Sequence, residues 1–265
     1  MDTFQAIIVA IVEGLTEFLP ISSTAHMKFV HPLLGVADTS FVNMYEVVIQ
    51  LAAILAVVVL YWKKFFDFKR GRFYTKLIIA VIPALIGGFF LKKYIEAALG
   101  NLTFIACVMV AGGIILLFID KVFKTPTVDS EEKVSNKAAF IIGCGQVLSI
   151  LFPGLSRSAA TIITGMSQKL TRNEAAEFSF FLAVPTMLAA SAKSFWDTYK
   201  ENPEVIAKDN LTMLLIGSVV AFVVALLAIK FFISFLKKHG FRIWGVYRII
   251  AGLIMLFLIW KGIVQ

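Results

Sequence analysis

Charge is scarce in this chain. Only 16% of its 265 residues are Asp, Glu, Lys or Arg, where a soluble domain averages about 25%. Cysteine is nearly absent. Cys107 and Cys144 lie far apart, with no metal-type spacing, so neither a disulfide framework nor a zinc site is expected. Both fall in apolar segments and read as small core residues. Also lacking is any Lys or Arg before Lys28. A basic leader is therefore missing, and the first segment does not read as a signal peptide. Dyad alternation of polar and apolar residues is missing too, which argues against a membrane barrel.

What fills the chain instead is apolar sequence: 59% hydrophobic, with a mean hydropathy of +0.87. Long runs of this kind read as helices in a membrane. The net charge of +8 is assigned to cytoplasmic loops rather than to nucleic-acid binding.

Residues 4–19 are apolar but too short to span, and they end at Pro20. The piece that follows, to about Leu34, is shorter still. Each falls below the ~20 residues a span needs, so the two predict a re-entrant helix pair. Phe41 to Trp62 reads as a full span, with Asn43, Glu46 and Gln50 on one inward face. A basic loop follows (Lys63, Lys64, Lys69, Arg70, Arg72, Lys76) and is placed in the cytoplasm. Leu77 to Leu91 and Thr103 to Ile119 are two further spans, joined by a short turn. A charged linker at about 121–137 divides the chain.

The second half repeats the plan. Ala138 to Phe152 and Ser156 to about Met166 predict another re-entrant pair, broken at Pro153-Gly154. Glu174 to Ala192, Leu211 to Leu236 and Trp244 to Trp260 predict three spans, with a loop from Lys193 to Asn210. Aligning Pro20 with Pro153 puts Ser23 on Ser156. Glu46 and Glu177 match in a second register, and Ala111-Gly112 and Ala251-Gly252 in a third. The expected fold is an all-α polytopic membrane protein of two inverted-topology repeats, about 1–120 and 138–265. Each holds a re-entrant pair and three spans, an odd number of crossings that reverses the orientation of the second.

Two stretches are too polar for their depth. The first is EGLTEFLPISSTAH, Glu13 to His26. Glu13 and Glu17 are four apart and share a helix face. Adjacent carboxylates repel unless a cation lies between them, and such oxygen ligands suit Mg²⁺ or Ca²⁺. Pro20 breaks the helix, the loop offers Ser22, Ser23 and Thr24, and His26 follows. Serine, histidine and carboxylate are the parts of an activated nucleophile. Capping serines and a core histidine would be the structural alternative. The second stretch is PGLSRSAAT, Pro153 to Thr161. After Gly154, Ser156-Arg157-Ser158 opens a helix whose free N–H groups and dipole favour an anion. Arg157 adds a fork suited to phosphate, and Thr161 adds a hydroxyl one turn on. An arginine snorkelling to the interface is the alternative there. Together the stretches resemble a phosphoryl-transfer site, with a cation side facing an anion side.

These two motifs, with the FSFFLAVP stretch (Phe178 to Pro185), resemble the signatures of the undecaprenyl-diphosphate phosphatase family, also known for bacitracin resistance. Ala25 and Ala159 stand where many members have glycine. The resemblance implies hydrolysis of a C55 polyprenyl diphosphate lipid to its monophosphate, recycling the carrier for peptidoglycan. It implies a bacterial inner membrane, a divalent metal and a site open to the outer face. By motif, Glu13 and Glu17 are the acidic, metal-binding pair. Ser23 and His26 are nucleophile and partner, Arg157 binds phosphate, and Ser156 and Thr161 fall on motif positions. A lipid-phosphate transporter built on the same repeats is the rival reading. A homodimer is compatible with the sequence.

Overall fold

A computed structural model describes residues 1–67, 69–206 and 208–264. In chain order its helices are α1 Thr3–Thr16, α2 Ser23–Leu34, α3 Ser40–Leu60, α4 Trp62–Phe65, α5 Gly71–Phe90, α6 Lys92–Leu99, α7 Leu102–Val122, α8 Asn136–Leu151, α9 Arg157–Ser167, α10 Arg172–Glu201, α11 Lys208–His239 and α12 Arg242–Trp260. Two short 3₁₀ turns complete the order, and no strand occurs among the described residues. Six helices (α3, α5, α7, α10, α11, α12) are long and apolar enough to cross a membrane. The protein is therefore a multi-pass, all-α membrane protein.

Helix starts follow the polar residues that break the apolar runs. Asp2 and Gln5 form a capping box on α1. Thr39, Asn101, Ser135 and Thr171 each accept an N–H from the first turn of α3, α7, α8 and α10. Side-chain oxygens thus satisfy part of what a helix leaves open at its N-terminus. Pro32, Pro83 and Pro185 sit inside continuous helices rather than ending them.

The two halves exchange contacts. From the first half, α5 packs along α8 of the second; from the second, α11 packs along α1 of the first. A small residue permits each approach. A Cβ on Gly14 would reach the Ala221 carbonyl of α11 at 2.8 Å, and one on Gly143 would run into the Ala80 backbone of α5. Helices α7 and α12 lie against each other through Gly113 and Gly245, and α3 lies against both α10 and α11. A core of Phe18, Phe178, Phe180, Phe181 and Phe232 fills the space between these layers. The outer faces are apolar and open, as lipid contact requires.

Several sequence expectations change in detail. The segment expected as a loop from Lys193 begins as helix. α10 continues to Glu201, supported by a Lys193–Asp197 pair at 2.5 Å with i,i+4 spacing. The turn expected at 92–102 holds α6. Cys107 and Cys144 are both exposed, not core residues. In a membrane the periphery is as apolar as the interior, so hydrophobic surroundings in the sequence do not imply burial. The basic loop is not free. Lys76 is buried and donates to the Glu131 and Glu132 carbonyls at 2.7 and 3.0 Å. Arg70 pairs with Glu131, and Lys64 bridges Glu131 and Glu177, each at 3.2 Å. The linker is tied down by these pairs and by a backbone bridge between Val128 and Leu170.

Candidate active site

Both polar stretches fold into the same local form: a helix ends, the backbone turns sharply, and a new helix starts on a serine. The pivots are Ser22, at φ 73°, and Ser156, at φ 75°. Left-handed backbone is costly for a residue with a Cβ. Each serine repays some of that cost as an N-cap, its Oγ accepting the N–H three residues on (Ala25 and Ala159, both at 3.3 Å). Ser22 and Ser156 are thus the geometric equivalents. Aligning the two prolines shifts the comparison by one residue, because cap geometry and not distance from a proline sets the pivot. In the cap register, Ser23 in the first half corresponds to Arg157 in the second.

Those two side chains meet on one carboxylate. Ser23 donates its hydroxyl proton to Glu17 Oε2 at 2.5 Å. Arg157 Nη2 donates to Glu17 Oε1 at 3.0 Å, as an ion pair. The other arm of the guanidinium, Nη1, is fixed on the Ser179 carbonyl at 3.0 Å, and Cζ lies 5.9 Å from the Phe18 ring centroid. Only 14% of the Arg157 side chain is exposed and 6% of Glu17. This arginine does not snorkel to an interface. Opposite charges from the two halves neutralise each other in the interior, where an unpaired charge would be prohibitive.

Glu13 lies one turn before Glu17, with Gln50 and Glu46 of α3 close by. It is buried, and its Oε1 has no partner. Gln50 in turn accepts from Ser191 of α10 at 3.1 Å. An orphaned carboxylate oxygen next to a second carboxylate fits a hard, oxygen-preferring cation. No group of three His, Cys, Asp or Glu able to hold a metal occurs among the described residues. Glu46 Oε1 lies 3.3 Å from His31 Nε2 without a hydrogen bond, and Glu177 pairs with Lys64 at 3.2 Å. Asn43 is exposed, so the polar face predicted for α3 turns inward only at Glu46 and Gln50.

His26 is not bonded to Ser23. Its Nδ1–H donates to the Ser22 carbonyl at 2.7 Å, which leaves Nε2 to accept the Tyr247 hydroxyl, also at 2.7 Å. The hydroxyls of the second stretch are largely committed to the fold. Ser158 donates to the Leu19 carbonyl at 2.7 Å and contacts Ser156 Oγ at 2.9 Å. Thr161, fully buried, is bonded to the Arg157 carbonyl at 2.9 Å and to Ser179 Oγ at 2.7 Å. Ser158 thus ties the start of α9 to the first half, and Thr161 ties it to α10. Gly154 adopts φ +98°, and a Cβ there would run into the Ile105 carbonyl.

Sequence reading missed two neighbours of the site, Tyr247 and Arg248 on α12. Arg248 is fully buried behind both breaks. A single arginine within an otherwise apolar span was the available signal.

Comparison with known proteins finds relatives along nearly the whole chain. A family model described as bacitracin resistance protein BacA matches residues 6–254. An undecaprenyl-diphosphatase of Porphyromonas gingivalis is 47% identical, the match covering 99% of each chain. One of Flavobacterium johnsoniae is 50% identical, over 97% of this chain and 96% of the relative. A third, of Bdellovibrio bacteriovorus, is 44% identical over 99% and 98%.

Proposed function

This chain belongs to the bacitracin resistance protein BacA family, and from that membership we infer its chemistry as that of an undecaprenyl-diphosphatase. It is a membrane hydrolase that converts undecaprenyl diphosphate to undecaprenyl phosphate and phosphate. That reaction returns the lipid carrier to cell-wall synthesis and opposes bacitracin. The observation that carries the reading is the continuous contact Ser23–Glu17–Arg157, which joins a nucleophile, a base and a phosphate-binding fork from two distant stretches.

In the first step Ser23 Oγ attacks the terminal phosphorus of the diphosphate. An Oγ–P bond forms as the bond from phosphorus to the bridging oxygen breaks, and the lipid monophosphate leaves with that electron pair. The serine proton passes to Glu17 Oε2, its acceptor at 2.5 Å. Arg157, held by Ser179 and Glu17, presents its remaining N–H groups to the non-bridging oxygens, joined by N–H groups at the start of α9. Ser156, Ser158 and Thr161 hold that helix start in place. Water then hydrolyses the phosphoserine and releases phosphate, with His26 serving the proton transfers of this step.

Glu13 and Glu17 would hold Mg²⁺ or Ca²⁺, with Gln50 and substrate oxygens completing the shell. Such an ion supplies neutralisation of the diphosphate charge. The reciprocal packing of α5 on α8 and α11 on α1 supports two repeats of inverted orientation. Basic residues at 63–76, 121–137 and 237–242 support a cytoplasmic assignment for those segments and an active site open to the outer face of a bacterial inner membrane. Self-association as a homodimer is compatible with this placement.

The test is phosphate release from undecaprenyl or farnesyl diphosphate by the purified protein, with Mg²⁺ and Ca²⁺ each supplied. Turnover that falls steeply in Ser23→Ala is expected. No release from either lipid would overturn the reading in favour of a carrier. Near-full turnover by Ser23→Ala would leave water as the nucleophile.

A further inference from the structure

Arg248 sits within the apolar span α12 and is completely shielded from solvent. No ion pair with a carboxylate is found for it among the described residues. Its partners are all backbone carbonyls. Nε donates to Met109 at 3.2 Å, Nη1 to Pro20 at 3.0 Å and to Leu155 at 2.6 Å, and Nη2 to Gly154 at 2.8 Å.

The identity of those acceptors is informative. Pro20 belongs to the first break, two residues before the Ser22 pivot. Gly154 and Leu155 belong to the second, immediately before the Ser156 pivot. Broken helices leave carbonyls without partners, and at membrane depth those must be satisfied by protein. Here one nitrogen, Nη1, bonds a carbonyl from each half. The planar guanidinium therefore fixes the separation of the two breaks, and with it the separation of Ser23 from Arg157. Lysine has no planar fork and could not hold acceptors in these directions at once. The space for the fork is made by Gly112 of α7, where a Cβ would run into Nη2 and lie 2.9 Å from Cζ.

We propose that Arg248 is a positioning residue of the phosphatase site: it clamps the backbone of both breaks and so aligns the Ser23 nucleophile with the Arg157 phosphate fork. This rests on the hydrolase reading given above. Arg157 has its own anchors at Ser179 and Glu17, so substrate capture survives loss of the clamp. Alignment of the attacking oxygen does not.

The experiment uses full-length protein in nanodiscs with farnesyl diphosphate as the probe. The variants are Arg248→Met, Arg248→Lys and Gly112→Ala, the last displacing the guanidinium while keeping its charge. Each is expected to lower kcat about 100-fold, the scale of a misplacement near 1 Å, with KM changed little. Arg248→Met is also combined with Ser23→Ala. If Arg248 acts through the serine's alignment, the double variant falls within about threefold of Ser23→Ala alone. Losses that multiply would mean that Arg248 serves only the fold, and would overturn the proposal.

Amide exchange gives a reading that does not depend on turnover. Residues 19–25 and 153–159 should both exchange about ten-fold faster in Arg248→Met and in Gly112→Ala, while α3 and α10 keep their protection. Unchanged exchange at either break would overturn the clamp. A wild-type protein that releases no phosphate would instead refute the hydrolase reading, and the exchange result would still decide the clamp.

Discussion

Glu17→Gln isolates the charge at the centre of the site while keeping its shape. In the native site one carboxylate oxygen accepts from Arg157 and the other from Ser23. An amide has only one acceptor oxygen and must choose. Turning its NH₂ toward Arg157 would oppose two donors in an interior where only 14% of the arginine side chain is exposed. The amide oxygen therefore faces Arg157, and the NH₂ faces Ser23 Oγ. The serine then receives a hydrogen bond where it formerly gave one, and its proton has no acceptor. Loss of a positioned general base costs about 10²–10⁴-fold, or about 2.7–5.4 kcal/mol in the barrier. Stability should suffer less than in Glu17→Ala, because the amide oxygen still meets Arg157; removing that partner outright would cost about 3–5 kcal/mol. The assay is kcat/KM for phosphate release from farnesyl diphosphate, with thermal unfolding in the same detergent as the control. Glu17→Gln within threefold of wild type would refute the assignment of Glu17 as the base.

Three further outcomes follow from the same geometry. Arg157→Lys keeps the charge but cannot reach Ser179 and a phosphate oxygen together, so kcat/KM should drop about ten- to 150-fold, the worth of one charge-assisted hydrogen bond; an unaffected Arg157→Lys would make the residue merely structural. Chelation of the purified protein with EDTA should lower turnover and Mg²⁺ or Ca²⁺ should restore it, with Glu13→Gln needing about ten-fold more ion because half of the acidic pair is gone; indifference to EDTA would remove the metal from the scheme. Gly143→Ala drives a methyl into the Ala80 backbone of α5 and should destabilise by about 1–3 kcal/mol, seen as a lower unfolding temperature with kcat per folded molecule unchanged, because neither Gly143 nor Ala80 takes part in the Ser23–Glu17–Arg157 contact.

Polarity, not hydrophobicity, made this protein legible. The six spans could be found because each is a long apolar run, and they appear as α3, α5, α7, α10, α11 and α12. That same apolar character says nothing about which face looks inward, and Cys107 and Cys144 were misplaced for that reason. The charged and hydroxyl residues at depth carried far more, since each needs a partner. Glu17, Ser23 and Arg157 were singled out on that ground, and the fold joins them. The limit came where partners are backbone atoms. The Ser22–Ser156 equivalence depends on φ and on N–H groups that every residue possesses. His26 was expected beside Ser23, but it turns to a carbonyl and to a tyrosine 221 positions away. Arg248 could have been flagged as a cation in an apolar span, yet its four bonds end on carbonyls. No residue type announces a carbonyl, so side chains that serve the broken backbone stay invisible until the breaks are seen in space. In a protein whose site is built from two interrupted helices, those side chains set the alignment on which the legible residues depend.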